Sequence, residues 1–158
     1  MFTTRAAEGV DHDFLWEMLY QALHVRPGDP PMPRTLLDAP DIAHYLIDFG
    51  SRDGDDARVA VDDSDLPIGA AWVRLMPADD PGYGFVAEHI PEISMAVVPE
   101  WRGRGVGTQL IRDLIARHPV ISLSVDNDNV GAMRLYERLG FVSVGTVGTS
   151  ITMLRGLL

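Results

Sequence analysis

The sequence predicts a mixed α/β domain, and three observations carry that reading. Short apolar runs bounded by turn residues alternate with segments whose apolar residues recur at helical spacing. Near the middle of the chain a strand, a glycine-rich loop, a helix and a second strand follow one another directly, from Glu92 to Val125. The length of 158 residues, 46% of them apolar, suffices for one hydrophobic core and is short for two, so residues 1–158 are expected to form a single domain.

Taken in order, Thr3 to Ala7 predicts a first strand. Asp11 or Asp13 then stands where a helix cap belongs, ahead of Phe14, Leu15, Met18, Leu19, Ala22 and Leu23 at helical spacing. Val25 to Pro40 holds five prolines, which interrupt regular structure and predict either a mobile loop near a site or an irregular surface connection. Ile42 to Phe49 predicts a second helix. After the breaker SRDGDDA, Arg58 to Val61 and Ile68 to Met76 predict a hairpin around the turn DDSDLP, and ADDPGYG breaks the chain again. Glu92 to Val98 is the apolar kind of strand that is buried on both faces. Val106 to Arg117 predicts a helix with Val106, Leu110, Ile111, Leu114 and Ile115 on one face. VISLSV after Pro119 is a strand, NVGAMRLYERLG a helix closed by Gly140, and Phe141 to Val147 with Ser150 to Leu154 a terminal hairpin.

Composition excludes several function classes. The chain has no cysteine, which removes disulfides, thiolate metal sites and a covalent cysteine intermediate. All 13 basic residues are arginine, so a Walker-type phosphate loop lacks its lysine. The five histidines, His12, His24, His44, His89 and His118, show no ligand spacing, and no metal is expected. The start is polar and no apolar stretch approaches the roughly 18 residues of a membrane span, so a cytoplasmic protein is expected, with no membrane partner. Net charge is −10, and residues 1–78 carry six arginines against fourteen acids, a balance of −8. Such a surface repels nucleic acid and favours cationic small molecules or peptides; it also serves plain solubility.

The stretch VVPEWRGRGVGTQLI, Val97 to Ile111, sets three glycines and two arginines at the start of a helix. A helix start exposes unpaired N–H groups and the positive end of its dipole, a site for phosphate, and Arg102 and Arg104 add fork-shaped donors. A dinucleotide turn is the rival, supported by Asp126 about nineteen residues beyond Gly107. Its spacing fails: a third glycine would have to stand at Thr108 or Leu110, and PEWR separates the strand from the first glycine.

Arg102-Gly103-Arg104-Gly105-Val106-Gly107 instead resembles the R/Q-x-x-G-x-G/A loop of the GNAT superfamily of N-acetyltransferases. The resemblance extends to Glu92 at the head of the preceding strand and to DNDNVGAMRLYERLGF, which is similar to the family's N-x-x-A-x-x-L-Y-x-x-x-G-F. It implies a mixed, mostly antiparallel twisted sheet, flanked by helices on both faces and splayed where acetyl-CoA binds. By the same resemblance the backbone from Arg102 through Gly103, Arg104, Gly105, Val106 and Gly107 to Thr108 would cradle the pyrophosphate. Val97 would lie beside the pantetheine and thioester, and Asn129 would reach the pantetheine from the other side.

Without cysteine, acetyl transfer is expected as direct attack of an amine on the thioester. An alkyl amine is neutral only about one part in a thousand at pH 7, an obstacle of roughly 4 kcal/mol that a base can lower. Glu92 is the candidate base, through a water, with Glu88 in reserve; otherwise Glu92 is a structural carboxylate. Tyr136 is similar in position to the tyrosine that protonates departing CoA in the family, although its spacing from Met133 and Leu139 also suits a packed core residue. Asn129 also suits a helix cap. The acceptor implied is a primary amine of a small molecule or peptide, and a homodimer is left open. The alternative is a non-catalytic acyl-CoA-binding module that senses or regulates.

Overall fold

Seven strands, each a short run rich in valine, isoleucine, alanine or threonine, form one open sheet in the computed structural model, which describes residues 1–156. They are β1 (Phe2–Ala6), β2 (Asp56–Asp62), β3 (Pro67–Arg74), β4 (Glu92–Val97), β5 (Ile121–Asp126), β6 (Val142–Val147) and β7 (Ser150–Arg155). Their order is β1-β2-β3-β4-β5-β7-β6, and all neighbours are antiparallel except β4 with β5. The mixed, mostly antiparallel sheet is as the sequence predicts, with strand ends shifted by one or two residues.

β3 is buried on both faces, and its alternation divides the core in two. Ile68, Ala71 and Val73 face α3 (Val106–Arg117) and α4 (Val130–Arg138). Ala70 and Trp72 face α1 (His12–Ala22) and the segment after α2 (Pro40–Ala43). Helix α3 sinks Val106, Leu110, Ile111 and Leu114 completely, each worth about 2 kcal/mol over exposure. That sum far exceeds what helix propensity contributes, so packing decides where α3 sits.

Asp11 stands directly before α1, yet its carboxylate does not cap that helix. It pairs with Arg5 of β1 through two bonds of 2.7 and 3.0 Å and accepts the Glu8 amide. The Arg5 bond holds Asp11 below the usual carboxylate range. The second helix is also shorter than the predicted Ile42 to Phe49: it spans Pro40–Ala43 and continues as turns. Its outgoing carbonyls are taken by β3 side chains, Arg74 Nη1 reaching His44 O and Ile47 O at 3.1 and 2.7 Å and Trp72 Nε1 reaching Tyr45 O at 3.1 Å. Tertiary bonds outbid the helical ladder there.

Strands β4 and β5 pair only at Glu92 and Ser122, where Ser122 N donates to Pro91 O at 3.0 Å. Beyond that point they separate. Burial of β4 on both faces is therefore incomplete: Ser94 and Met95 are half-buried because the neighbouring strand has moved away.

Candidate active site

A cleft of about 1360 Å³ opens at this fork, walled by β4, β5, the starts of α3 and α4, and the loop after α1. Its phosphate-like end is the glycine loop. Gly103 and Gly105 take left-handed conformations, φ 76° and 86°, that other residues rarely adopt. Gly105 begins α3 without a side-chain cap, so the amides of Val106, Gly107 and Thr108 have no partner within the helix. A Cβ on either Gly103 or Gly105 would meet no protein atom within 4 Å, so this cradle is open. Gly107 serves packing instead: a Cβ there would lie 3.0 Å from Met95 Cε, so glycine lets α3 approach β4.

The side chains of the loop diverge. Arg102 turns toward the end of β4, Nε donating to Val97 O at 3.0 Å and Nη2 to Gln21 Oε1 at 3.3 Å. Arg104 lies over the Trp101 ring at 4.8 Å and, alone among the residues from Arg102 to Thr108, does not line the cleft. The Val106 side chain belongs to the core, leaving its amide to the cleft. Asn129 does cap α4, Oδ1 accepting the Ala132 amide at 3.4 Å, while lining the cleft.

Glu92 stands at the closed end of the fork and is 4% exposed. Its Oε2 accepts from Tyr45 Oη at 2.7 Å and from Gly84 N at 3.1 Å; its buried Oε1 has no partner. Burial pushes its pKa up to about 7, against the pull of those two hydrogen bonds. Glu88, the reserve base, is elsewhere: it accepts the Ala78 amide at 2.8 Å beside Arg52 and Met76, outside the cleft. Tyr136 is half-buried, lines the cleft and packs edge-on against Phe141 at 5.9 Å, and burial pushes its hydroxyl up to about 12. The hydroxyl therefore keeps its proton at neutral pH, and the residue both packs against the core and lines the cleft.

The fold adds residues that sequence reasoning missed. Tyr45 lay in a predicted helix, and Gly82, Tyr83 and Gly84 in a breaker. The signal was present in the pair of glycines around Tyr83, since glycine marks close approach of backbone. The loop after α1 is also tied across the cleft, Arg26 Nη2 reaching Asp126 Oδ1 at 3.2 Å and His24 Nε2 reaching Asp128 Oδ1 at 2.6 Å. No spacing along the chain announces that His24, Asp126 and Asp128 gather their ligand-type atoms within 4.8 Å. Arg26 pairs with both carboxylates, at 3.2 Å to Asp126 and 3.7 Å to Asp128.

In this open sheet the one parallel pair splays beside an uncapped, glycine-rich helix start. The model of the Acetyltransferase (GNAT) family matches residues 16–141, and the chain belongs to that family. It is 43% identical over 54 residues to the N-alpha-acetyltransferase RimI of Mycobacterium tuberculosis, a match covering 33% of this chain and 34% of that protein. It is 29% identical over 83 residues to the peptidyl-lysine N-acetyltransferase YjaB of Salmonella typhimurium, covering 51% and 55% of the two chains. The matches thus span from a third to about half of those relatives. A phosphinothricin acetyltransferase of Sinorhizobium meliloti, solved in complex with AcCoA, shares the fold with a TM-score of 0.67 at 20% identity, over 99% of this chain and 88% of that one. Among the described residues no helix is long and apolar enough to cross a membrane.

Proposed function

We propose that the protein moves the acetyl group of acetyl-CoA directly to a primary amine of a small molecule or peptide, with cationic acceptors favoured. One observation carries this: a single cleft is lined at one end by the glycine loop and along its walls by Glu92 and Tyr136. The open cradle at Gly103 and Gly105, with three free amides behind it, fits a pyrophosphate. The unpaired edge of β4 from Ser94 to Val97 fits a ligand that carries amides of its own.

Acetyl-CoA supplies the acetyl group as a thioester. Glu92 accepts, through a water, the proton that the amine loses as its nitrogen bonds to the carbonyl carbon. Tyr136 gives its proton to the sulfur as the carbon–sulfur bond breaks, so that charge does not build on the leaving group. Asp41 is the acidic residue of the first half of the chain that reaches the cleft wall, and it is the group to which a second positive charge on the acceptor would be drawn. By name one relative is an N-alpha-acetyltransferase and the other a peptidyl-lysine N-acetyltransferase, which supports an amine acceptor.

The test is CoA release from acetyl-CoA with a panel of amines: a peptide with a free N-terminus, a lysine peptide, spermidine and a neutral alkyl amine. Turnover with at least one, and preference for the charged ones, is expected. Tight acetyl-CoA binding with no turnover across a broad panel would return the reading of an acyl-CoA sensor.

A further inference from the structure

The connection between β3 and β4 carries Pro81-Gly82-Tyr83-Gly84, and the fold presses this turn against Glu92. Gly84 N donates to Glu92 Oε2 at 3.1 Å, and Tyr83 N donates to Tyr45 Oη at 2.8 Å. Tyr45 Oη is 2.7 Å from the same Oε2. The Tyr83 amide can only donate, so it occupies an acceptor site on the phenol oxygen and leaves the single hydroxyl proton of Tyr45 for Glu92. The direction of the Tyr45 hydrogen bond is thereby decided by the backbone.

The space around this pair is closed to side chains. A Cβ on Gly82 would stand 2.1 Å from Glu92 Oε1 and 2.8 Å from Tyr45 Oη, and one on Gly84 would stand 2.4 Å from the Leu123 carbonyl carbon. Both glycines are there because the turn must lie flat on the carboxylate. An apolar residue at position 92 would fill such a place at less cost than a carboxyl group. Oε2 thus accepts two donors, and the buried Oε1 accepts none.

We propose that Tyr45, oriented by the Tyr83 amide, is a positioning residue that holds the Glu92 carboxylate through Oε2 in the place where it serves as base. The inference rests on Glu92 being the base. Other groups that face Glu92 are already engaged. Arg74, its register partner on β3, is held by Asp55 at 3.0 and 2.9 Å and by two carbonyls. His44, stacked edge-on against Tyr45 at 4.7 Å, meets Asp80 at 2.9 Å. The Tyr83 hydroxyl is given to Asp41, and Ser122 across the fork is neutral. Tyr45 and Gly84 are therefore the groups that favour the ionised form of Glu92. Burial and the neighbouring carboxylate raise the Tyr45 hydroxyl far enough to keep it protonated throughout.

The experiment is a carboxyl ¹³C NMR titration of the full chain, with the Glu92 resonance assigned by its loss in Glu92→Gln. The wild-type midpoint is expected near pH 7. Tyr45→Phe keeps the ring and removes one donor, and its midpoint is expected to rise by about one unit. Difluorotyrosine at position 45, a stronger donor of nearly the same shape, is expected to move the midpoint down. With the best amine of the panel above, kcat/KM of Tyr45→Phe should fall about fivefold at pH 7, as the ionised fraction of Glu92 falls, and recover at alkaline pH, the KM for acetyl-CoA being unchanged. Midpoints unmoved in both variants, or a rate loss equal at every pH, would reduce Tyr45 to a packing residue. Unchanged kcat/KM in Glu92→Gln would instead overturn Glu92 as the base, an outcome the NMR midpoints identify separately.

Discussion

A carboxyl group kept dry destabilises the protein that holds it once its proton has gone. Glu92 in the folded protein releases its proton near pH 7, against an ordinary value of 4.5. Between those values the native state holds a proton that the unfolded chain has given up, so stability falls as pH rises through the window, by about 3 kcal/mol. Glu92→Gln has no such proton. Its stability relative to wild type is expected to improve by about that amount between pH 4.5 and pH 8, measured by urea denaturation. Tyr136 permits a complementary separation of roles. Phe keeps the packing against Phe141 and loses only the hydroxyl, so Tyr136→Phe should lower turnover about 10 to 10³-fold with acetyl-CoA affinity nearly unchanged. Unaltered turnover would leave that residue to the core alone.

Among the elements, the start of α3 presents free backbone amides, and the rest of the helix is fixed by core packing. Because a Cβ at Gly105 meets nothing in the protein, Gly105→Val should fold, at a strain cost of about 1–2 kcal/mol for a left-handed residue, and yet lose acetyl-CoA binding by calorimetry. Binding retained in the folded variant would remove the pyrophosphate from this loop. The glycine loop could be read from the chain because its whole logic is local: glycines, a helix start and a preceding strand lie within fifteen residues. The segment after α2 could not. Ile42 to Phe49 has helical spacing, but Arg74 and Trp72, some thirty residues away, take the carbonyls of residues 44, 45 and 47 and end the helix early.

At the scale of the molecule, charge is the property on which acceptor choice is expected to turn. Four of the fourteen acidic residues in 1–78 pair with arginine, Asp11 with Arg5, Glu17 with Arg34, Asp55 with Arg74 and Asp56 with Arg117. Asp41 reaches the cleft without an arginine of its own and accepts the Tyr83 hydroxyl. Acceptors with a second positive charge are expected to show the higher kcat/KM, with an advantage that shrinks as salt screens it over about 8 Å and that Asp41→Asn reduces. Size-matched neutral and cationic amines at two salt concentrations check this; equal rates would leave the acidic surface to solubility.

The sequence by itself determined the α/β class, the order of nearly all elements and a glycine-rich start to α3, because hydrophobic period, glycine placement and short motifs act between near neighbours in the chain; Glu92 and Tyr136 are singled out by resemblance to the GNAT family. Only the tertiary structure decided that Glu92 is framed by Tyr45 and the turn Gly82 to Gly84, that Glu88 and Arg104 stand outside the cleft, and that His24 and Arg26 close onto Asp126 and Asp128. Those contacts join residues up to a hundred positions apart, and no local preference encodes which of many polar side chains will meet once the sheet has formed.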